Sequence, residues 1–182
     1  MDIYLVTRNS GKLAAAQSIF NPQGIRLCPT EKEYPEIQAD TSLEIARQTA
    51  VLVAKELGQP AIREDHSLFI NALHFPGPYT NYFEKNISSA LLLQMMTGFQ
   101  DRSGYFEIAT VYAEPDGKTI EFVYRVPIIL AQEERGEGQQ GWSRLLMLEG
   151  EKQTFAEYPE KERLHVWAKN YQAVAQELSS RL

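Results

Sequence analysis

Hydrophobic positions fall into two rhythms along this chain. Ile3-Tyr4-Leu5-Val6 is a continuous apolar and partly β-branched run, as expected of a strand covered on both faces. Leu13 to Phe20 is rich in Ala, Leu and Gln and reads as helix, and the polar turn Thr7-Arg8-Asn9-Ser10-Gly11-Lys12 joins the two. Asn21-Pro22-Gln23-Gly24 predicts a turn, Ile25 to Cys28 a short strand, and the acidic segment Pro29 to Asp40 a loop that contains Glu36. Thr41 to Leu57 predicts a helix, with Asp40, Thr41 or Ser42 as its cap, Gly58 as its stop and Pro60 beyond. Extended chain follows from Ala61 through Glu64-Asp65 to Ile70, then a Gly-Pro turn over Phe75 to Tyr79 and a helix over 81–97. Tyr105 to Glu114 and Thr119 to Leu130 alternate as strands, and Pro115-Asp116-Gly117-Lys118 joins them as a hairpin. Glu133 to Gly141 is glycine-rich and flexible in appearance, and Glu160 to Leu182 predicts a closing helix.

The sum is a mixed α/β fold, since a hairpin midway argues against a purely doubly wound parallel sheet. At 182 residues and 43% hydrophobic, the chain suits one globular domain, or one domain with a small lobe. A net charge of −6 and a pI near 5.2 argue against a general nucleic-acid or membrane-surface binder. Any anionic ligand must therefore be met by a few placed cations. There is no apolar run of membrane-spanning length and no secretory leader pattern, so a soluble, cytoplasmic protein is expected. The single Cys28 excludes an internal disulfide and a cysteine-based zinc cluster.

The turn at residues 7–12 changes the picture. Asn9 or Ser10 can cap the following helix, Gly11 permits close backbone approach, and the helix amides with Lys12 make a positive pocket. This is either a phosphate seat or an ordinary capped helix with a solvated lysine. It is neither a P-loop nor a dinucleotide-binding glycine motif.

Three separated stretches belong together: Thr7 to Lys12, Arg63 to Tyr79 and Arg135 to Trp142. In this order and at these separations they resemble the inosine triphosphate pyrophosphatase family, which hydrolyses non-standard purine nucleoside triphosphates. The family's T-G-N-x-x-K is matched by Thr7, Asn9 and Lys12, and its E-D-T-C-L, N-A-L and P-G-P-Y elements by Glu64 to Leu68, Asn71 to Leu73 and Pro76 to Tyr79. The resemblance implies an elongated mixed-sheet fold with helices flanking a central cleft, as a single domain or as two lobes around that cleft. It also implies a homodimer that cleaves between the α and β phosphates with Mg²⁺. Glu36, Asp65 and Glu64 would serve the metal, and Asp65 would orient or deprotonate the attacking water, with Lys12 beside it. Thr7, Asn9, Lys12, Lys85 and Lys161 would contact phosphate, while Trp142 and His165 would contact the base. Trp142 suits a base stack or a core position equally. His66 and His74 lack zinc-ligand spacing and are expected in loops.

Departures from the family pattern fall mainly on base recognition. Gln140 replaces an aromatic residue, Ser143-Arg144 replaces Asp-Pro, and the family's Ser-His-Arg falls on His165-Val166-Trp167. On the phosphate side, Arg8 replaces a glycine, where it either reaches phosphate or obstructs it. Thr49 stands where the family has a lysine, with Arg47 close by as a substitute. The expectation is a nucleotide pyrophosphatase of altered or relaxed base specificity. The competing reading is a catalytically impaired nucleotide-binding paralogue; a third treats the matching charges as inherited decoration on a dimer.

Overall fold

The structure is a computed structural model in which residues 2–30, 32–137, 141–158 and 163–180 are described. In chain order the elements are β1 (Asp2–Val6), α1 (Ser10–Phe20), β2 (Arg26–Pro29), α2 (Ser42–Leu57), β3 (Ala61–Ile70), β4 (Phe75–Gly77), α3 (Thr80–Asn86), α4 (Ser89–Met95), β5 (Ser103–Ala113), β6 (Thr119–Leu130), β7 (Leu146–Leu148), α5 (Leu164–Trp167) and α6 (Lys169–Ser180). The sheet is mixed, in the order β2-β1-β3-β5-β6-β7, with β4 paired to β3. β1 runs parallel to β2 and β3, setting Ile3 opposite Leu27 and Leu5 opposite Ile62. β4 is antiparallel to β3, and β7 to β6. The mixed α/β class read from the sequence is the class observed.

Two compact units divide the chain. One comprises Met1–Asp65, Ile108–Tyr124 and Leu164–Leu182; the other comprises His66–Glu107 and Arg125–Arg163. The first has a core on each face of its strands. On one face Ile3, Leu5, Ile62 and Tyr112 meet Ala15, Ala16 and Phe20 of α1 and Tyr171, Val174 and Leu178 of α6. On the other, Ala61, Ala109, Val111 and Ala113 meet Ala46, Ala50, Val53 and Ala54 of α2. The second unit is knitted by aromatic contacts, with Phe75 against Phe83 at 4.7 Å and against Trp142 at 6.1 Å between ring centres. The Leu68 N–H donates to the Thr80 hydroxyl, which donates in turn to the Gly77 carbonyl. No helix among the described residues is long and apolar enough to cross a membrane.

Local chemistry corrects several boundaries. The single helix expected over 81–97 is two, because Ile87 is extended (φ −117°, ψ 116°) and the Ser88 hydroxyl caps α4 by accepting from the Leu91 N–H at 3.2 Å. A serine that bonds the backbone of the next turn restarts a helix more readily than it continues one. Phe75 to Gly77, expected as a turn, is instead the strand β4, with Pro76 opposite Phe69; proline, which donates no hydrogen bond, is tolerated on such an edge. His66 lies within β3 rather than in a loop. The closing helix is interrupted at Ala168 between α5 and α6, and residues 159–162, 181 and 182 lie outside the described residues. β7 was not anticipated, since three residues are too few to show alternation. Around the glycine-rich stretch the described chain is packed: the Thr154 hydroxyl donates to the Arg135 carbonyl at 3.0 Å, and a side chain on Gly136 would meet the Ala156 backbone at 2.8 Å.

Candidate active site

The turn after β1 is built by its own side chains. Asn9 is the helix cap: its Oδ1 accepts the Lys12 N–H at 3.0 Å, while its own N–H donates to the Thr7 hydroxyl at 3.1 Å. Between the two capping candidates the structure selects Asn9, and Ser10 becomes the first helical residue. Lys12 is then carried inward on the first turn of α1. Its ammonium donates to the Glu64 carbonyl at 3.0 Å, bridging α1 and β3.

Lys12 is surrounded by the acidic residues read from the sequence. Burial pulls its pKa below the ordinary lysine value, Glu64, Asp65 and Glu36 oppose that pull, and Arg63 adds to it. Lys12 is half-buried, with its ammonium on the Glu64 carbonyl and near enough to Glu64, Asp65 and Glu36 to feel their charges.

Arg63 was not singled out from the sequence. One of its guanidinium nitrogens donates to the Val6 carbonyl at 3.0 Å, and the other forms an ion pair with Glu36. Through this contact the loop residue Glu36 is tied to the end of β1, beside the turn that follows it. Replacing Arg63 with glutamine is therefore expected to release Glu36 and raise the half-saturating concentration of any divalent cation used by the site by roughly tenfold. A metal titration of the variant checks this; an unchanged midpoint separates Glu36 from metal binding.

Successive side chains of a strand point to opposite faces. Ile62 belongs to the α1 and α6 core, whereas Ala61 belongs to the α2 core. By the same alternation Glu64 faces α1 and α6, and Arg63 and Asp65 face the side of α2. Glu64 is 2% exposed, and its Oε2 accepts the Thr110 hydroxyl at 3.1 Å. The Tyr171 hydroxyl is sealed from water and meets no acceptor at full hydrogen-bond geometry. Burial, followed by the nearby Glu64 charge, raises its pKa well above the usual value. Burial does the same for Tyr124, whose hydroxyl donates to the Val166 carbonyl.

The departures also have definite places. Arg8 turns outward into an ion pair with Glu33. Arg47 is held by a two-pronged contact to Glu121, with both distances 2.7 Å, and so is already committed to another partner. Thr49 is 2% exposed on the inner side of α2, with its hydroxyl unpartnered.

Lys85 is exposed near the end of α3, in the second unit. Trp142 is also in that unit, 0% exposed, and donates its indole N–H to the Ile87 carbonyl at 2.8 Å. With no ring face open, it occupies a core position, the second of the two roles its sequence context allowed. Beside it, a side chain on Gly141 (φ +51°) would meet the Glu84 carboxylate carbon at 2.7 Å. His165 is exposed on α5. Lys161 and Gln140 lie outside the described residues.

Comparison with known proteins places the chain in a family. The model of the Ham1 family matches residues 3–177. A dITP/XTP pyrophosphatase of Methanopyrus kandleri is 36% identical over 167 residues, covering 91% of this chain and 89% of that protein. One from Thermococcus kodakarensis is 36% identical over 164 residues, covering 90% and 88%. Among solved structures, a HAM1 protein from Coxiella burnetii superposes with a TM-score of 0.83 at 26% identity, covering 99% of each chain. The Staphylococcus aureus Ham1 protein, at 22% identity, shares the fold with a TM-score of 0.81 over the full length of both chains. A family match running from β1 into α6, together with relatives more than one-third identical over most of the chain, establishes that this protein belongs to the Ham1 family.

Proposed function

We propose that this chain hydrolyses nucleoside triphosphates to nucleoside monophosphate and pyrophosphate, with non-standard purine nucleotides of the inosine and xanthosine type as the default substrates. The observation that carries the proposal is the capped turn that sets Lys12 among Glu64, Asp65 and Glu36. Its relatives named dITP/XTP pyrophosphatases support the same reaction.

Phosphoryl transfer rests on positioning and charge stabilisation. The free N-terminal amides of α1 and the Lys12 ammonium attract phosphate oxygens, with Thr7 and Asn9 shaping the turn that presents them. Asp65 is assigned to orient the attacking water and accept its proton. Water adds at the α phosphorus, and pyrophosphate leaves. Lys85, Lys161 and His165 remain assignments that rest on the resemblance, the lysines to phosphate and His165 to the base.

Among the described residues no three His, Cys, Asp or Glu side chains gather as a metal cage. Mg²⁺ commonly takes one or two carboxylates together with waters and substrate phosphate oxygens, and so needs no such cage. Glu36 and Asp65 are hard oxygen donors on the side of β3 where Arg63 holds Glu36, and they suit that role. Bound there, Mg²⁺ would supply neutralisation of the charge developing on the phosphates. A cytoplasmic homodimer completes the reading, on the strength of the family resemblance.

Base selectivity is expected to be weaker than a site with dedicated donors for a 6-oxo purine would give, because Val166 and Trp167 replace the last two residues of Ser-His-Arg. The test is pyrophosphate release from a panel of standard and modified nucleoside triphosphates with Mg²⁺. Comparable kcat/KM for inosine and adenosine triphosphates is the expected result. A preference for inosine triphosphate of several orders of magnitude would refute the specificity assignment, and no release from any member would refute the enzymatic one.

A further inference from the structure

The third of the stretches that carry the family pattern ends at Gly141-Trp142, and groups from α3 and α4 hold these two residues. The Ile87 carbonyl, between the helices, accepts the Trp142 indole N–H at 2.8 Å, and the Ser89 hydroxyl donates to the Gly141 carbonyl at 3.5 Å. The Glu84 carboxylate, half-buried on α3, lies on the bare face of Gly141. A side-chain carbon added there would meet the carboxyl carbon at 2.7 Å and its two oxygens at 2.8 and 3.0 Å. Only glycine admits the carboxylate at that distance, and the left-handed backbone of Gly141 (φ +51°) makes the same demand.

The backbone N–H of Trp142 donates to the same carboxylate. Burial pushes the Glu84 pKa up and this N–H opposes the rise, so the charge is kept at a cost, against a turn that uses it. Lys85, the next residue of α3, is exposed. One helix therefore carries a carboxylate committed to the turn and, beside it, a cation left open to solvent.

We infer that Glu84 is a positioning residue for nucleotide binding: its carboxylate docks the Gly141-Trp142 turn on α3, fixing the end of the third stretch against the helix that carries Lys85. The inference rests on the pyrophosphatase reading for the ligand, since that reading assigns Lys85 to phosphate. The docking contact stands on the geometry at Gly141.

Two measurements on the full chain test it. In steady-state hydrolysis of inosine triphosphate with Mg²⁺, Glu84→Ala is expected to raise KM by about fivefold or more while kcat stays within about threefold, because the residues around Lys12 are untouched. Glu84→Gln keeps an acceptor oxygen at the same reach and should bring KM back to within about twofold of the parent. Glu84→Asp, whose carboxylate is drawn back by one methylene, takes the place of the alanine variant if that does not fold, with the same rise in KM expected. A smaller rise, or a glutamine variant no better than the alanine one, would overturn the inference.

The second measurement needs no turnover. Gly141→Ala alone drives a methyl group into the carboxylate, whereas in the Glu84→Ala background that space is free and only the backbone strain remains. A double-mutant cycle of the two, read by urea unfolding, is expected to leave the double variant about tenfold more stable in its unfolding constant than the sum of the single effects, about 1.4 kcal/mol. Additive effects would overturn the inference. A parent that hydrolyses no nucleotide, with a coupled cycle, would refute the proposed reaction while leaving the docking of the turn by Glu84 intact.

Discussion

Asp65→Asn is expected to lower turnover by about 10²–10⁴-fold, the usual range for loss of a proton acceptor, with little change in stability. The substitution keeps the size and planarity of the side chain and removes its charge. Asp65 lies in the first unit at the end of its first segment, is partly buried, and is close enough to Lys12 for its charge to support the ammonium. Pyrophosphate release measures the first effect and urea unfolding the second. Retention of turnover within tenfold would move the water-orienting role elsewhere, with Glu36 next in line because Arg63 pins it beside the same turn.

Trp142→Ala is expected to carry the largest stability effect, about 3–5 kcal/mol for emptying a fully enclosed aromatic site. The indole is 0% exposed, and its loss also strips the Ile87 carbonyl of its donor. Trp142→Phe should recover part of that loss by refilling most of the volume. Equilibrium unfolding with urea checks both. Unchanged stability together with altered base preference would return Trp142 to the base-stacking role that its place in the third motif also allows.

The contrast between these two residues shows what sequence alone carries here. The capped turn after β1 was legible because its determinants are local: Asn9 caps three residues ahead, and Lys12 follows on the same helical turn. Arg63, Thr110 and Tyr171 were not, because they meet Glu36 and Glu64 across gaps of 27, 46 and more than 100 positions. Glu64 and Asp65 fall within the extended chain expected from Ala61 to Ile70, and β3 runs unbroken through both, so alternation sends them to opposite faces. The break between α3 and α4 was missed for the reverse reason. Residues 81–97 have helical composition overall, and a single serine outweighed it through a side-chain bond to the next turn.

The inner side of α2 has an evolutionary consequence. Ala46, Ala50 and Ala54 share one buried cluster with Ala61, Ala109 and Ala113, all of them 0% exposed. Enlarging any one by even a methylene would push helix and strands apart, with typical overpacking costs of about 1–3 kcal/mol. Thr49 lies along the same buried side, so a lysine there would require new space for a long stem as well as a charge. Tolerated variation is therefore expected at the solvent-facing positions of α2, such as Gln48, Leu52 and Lys55.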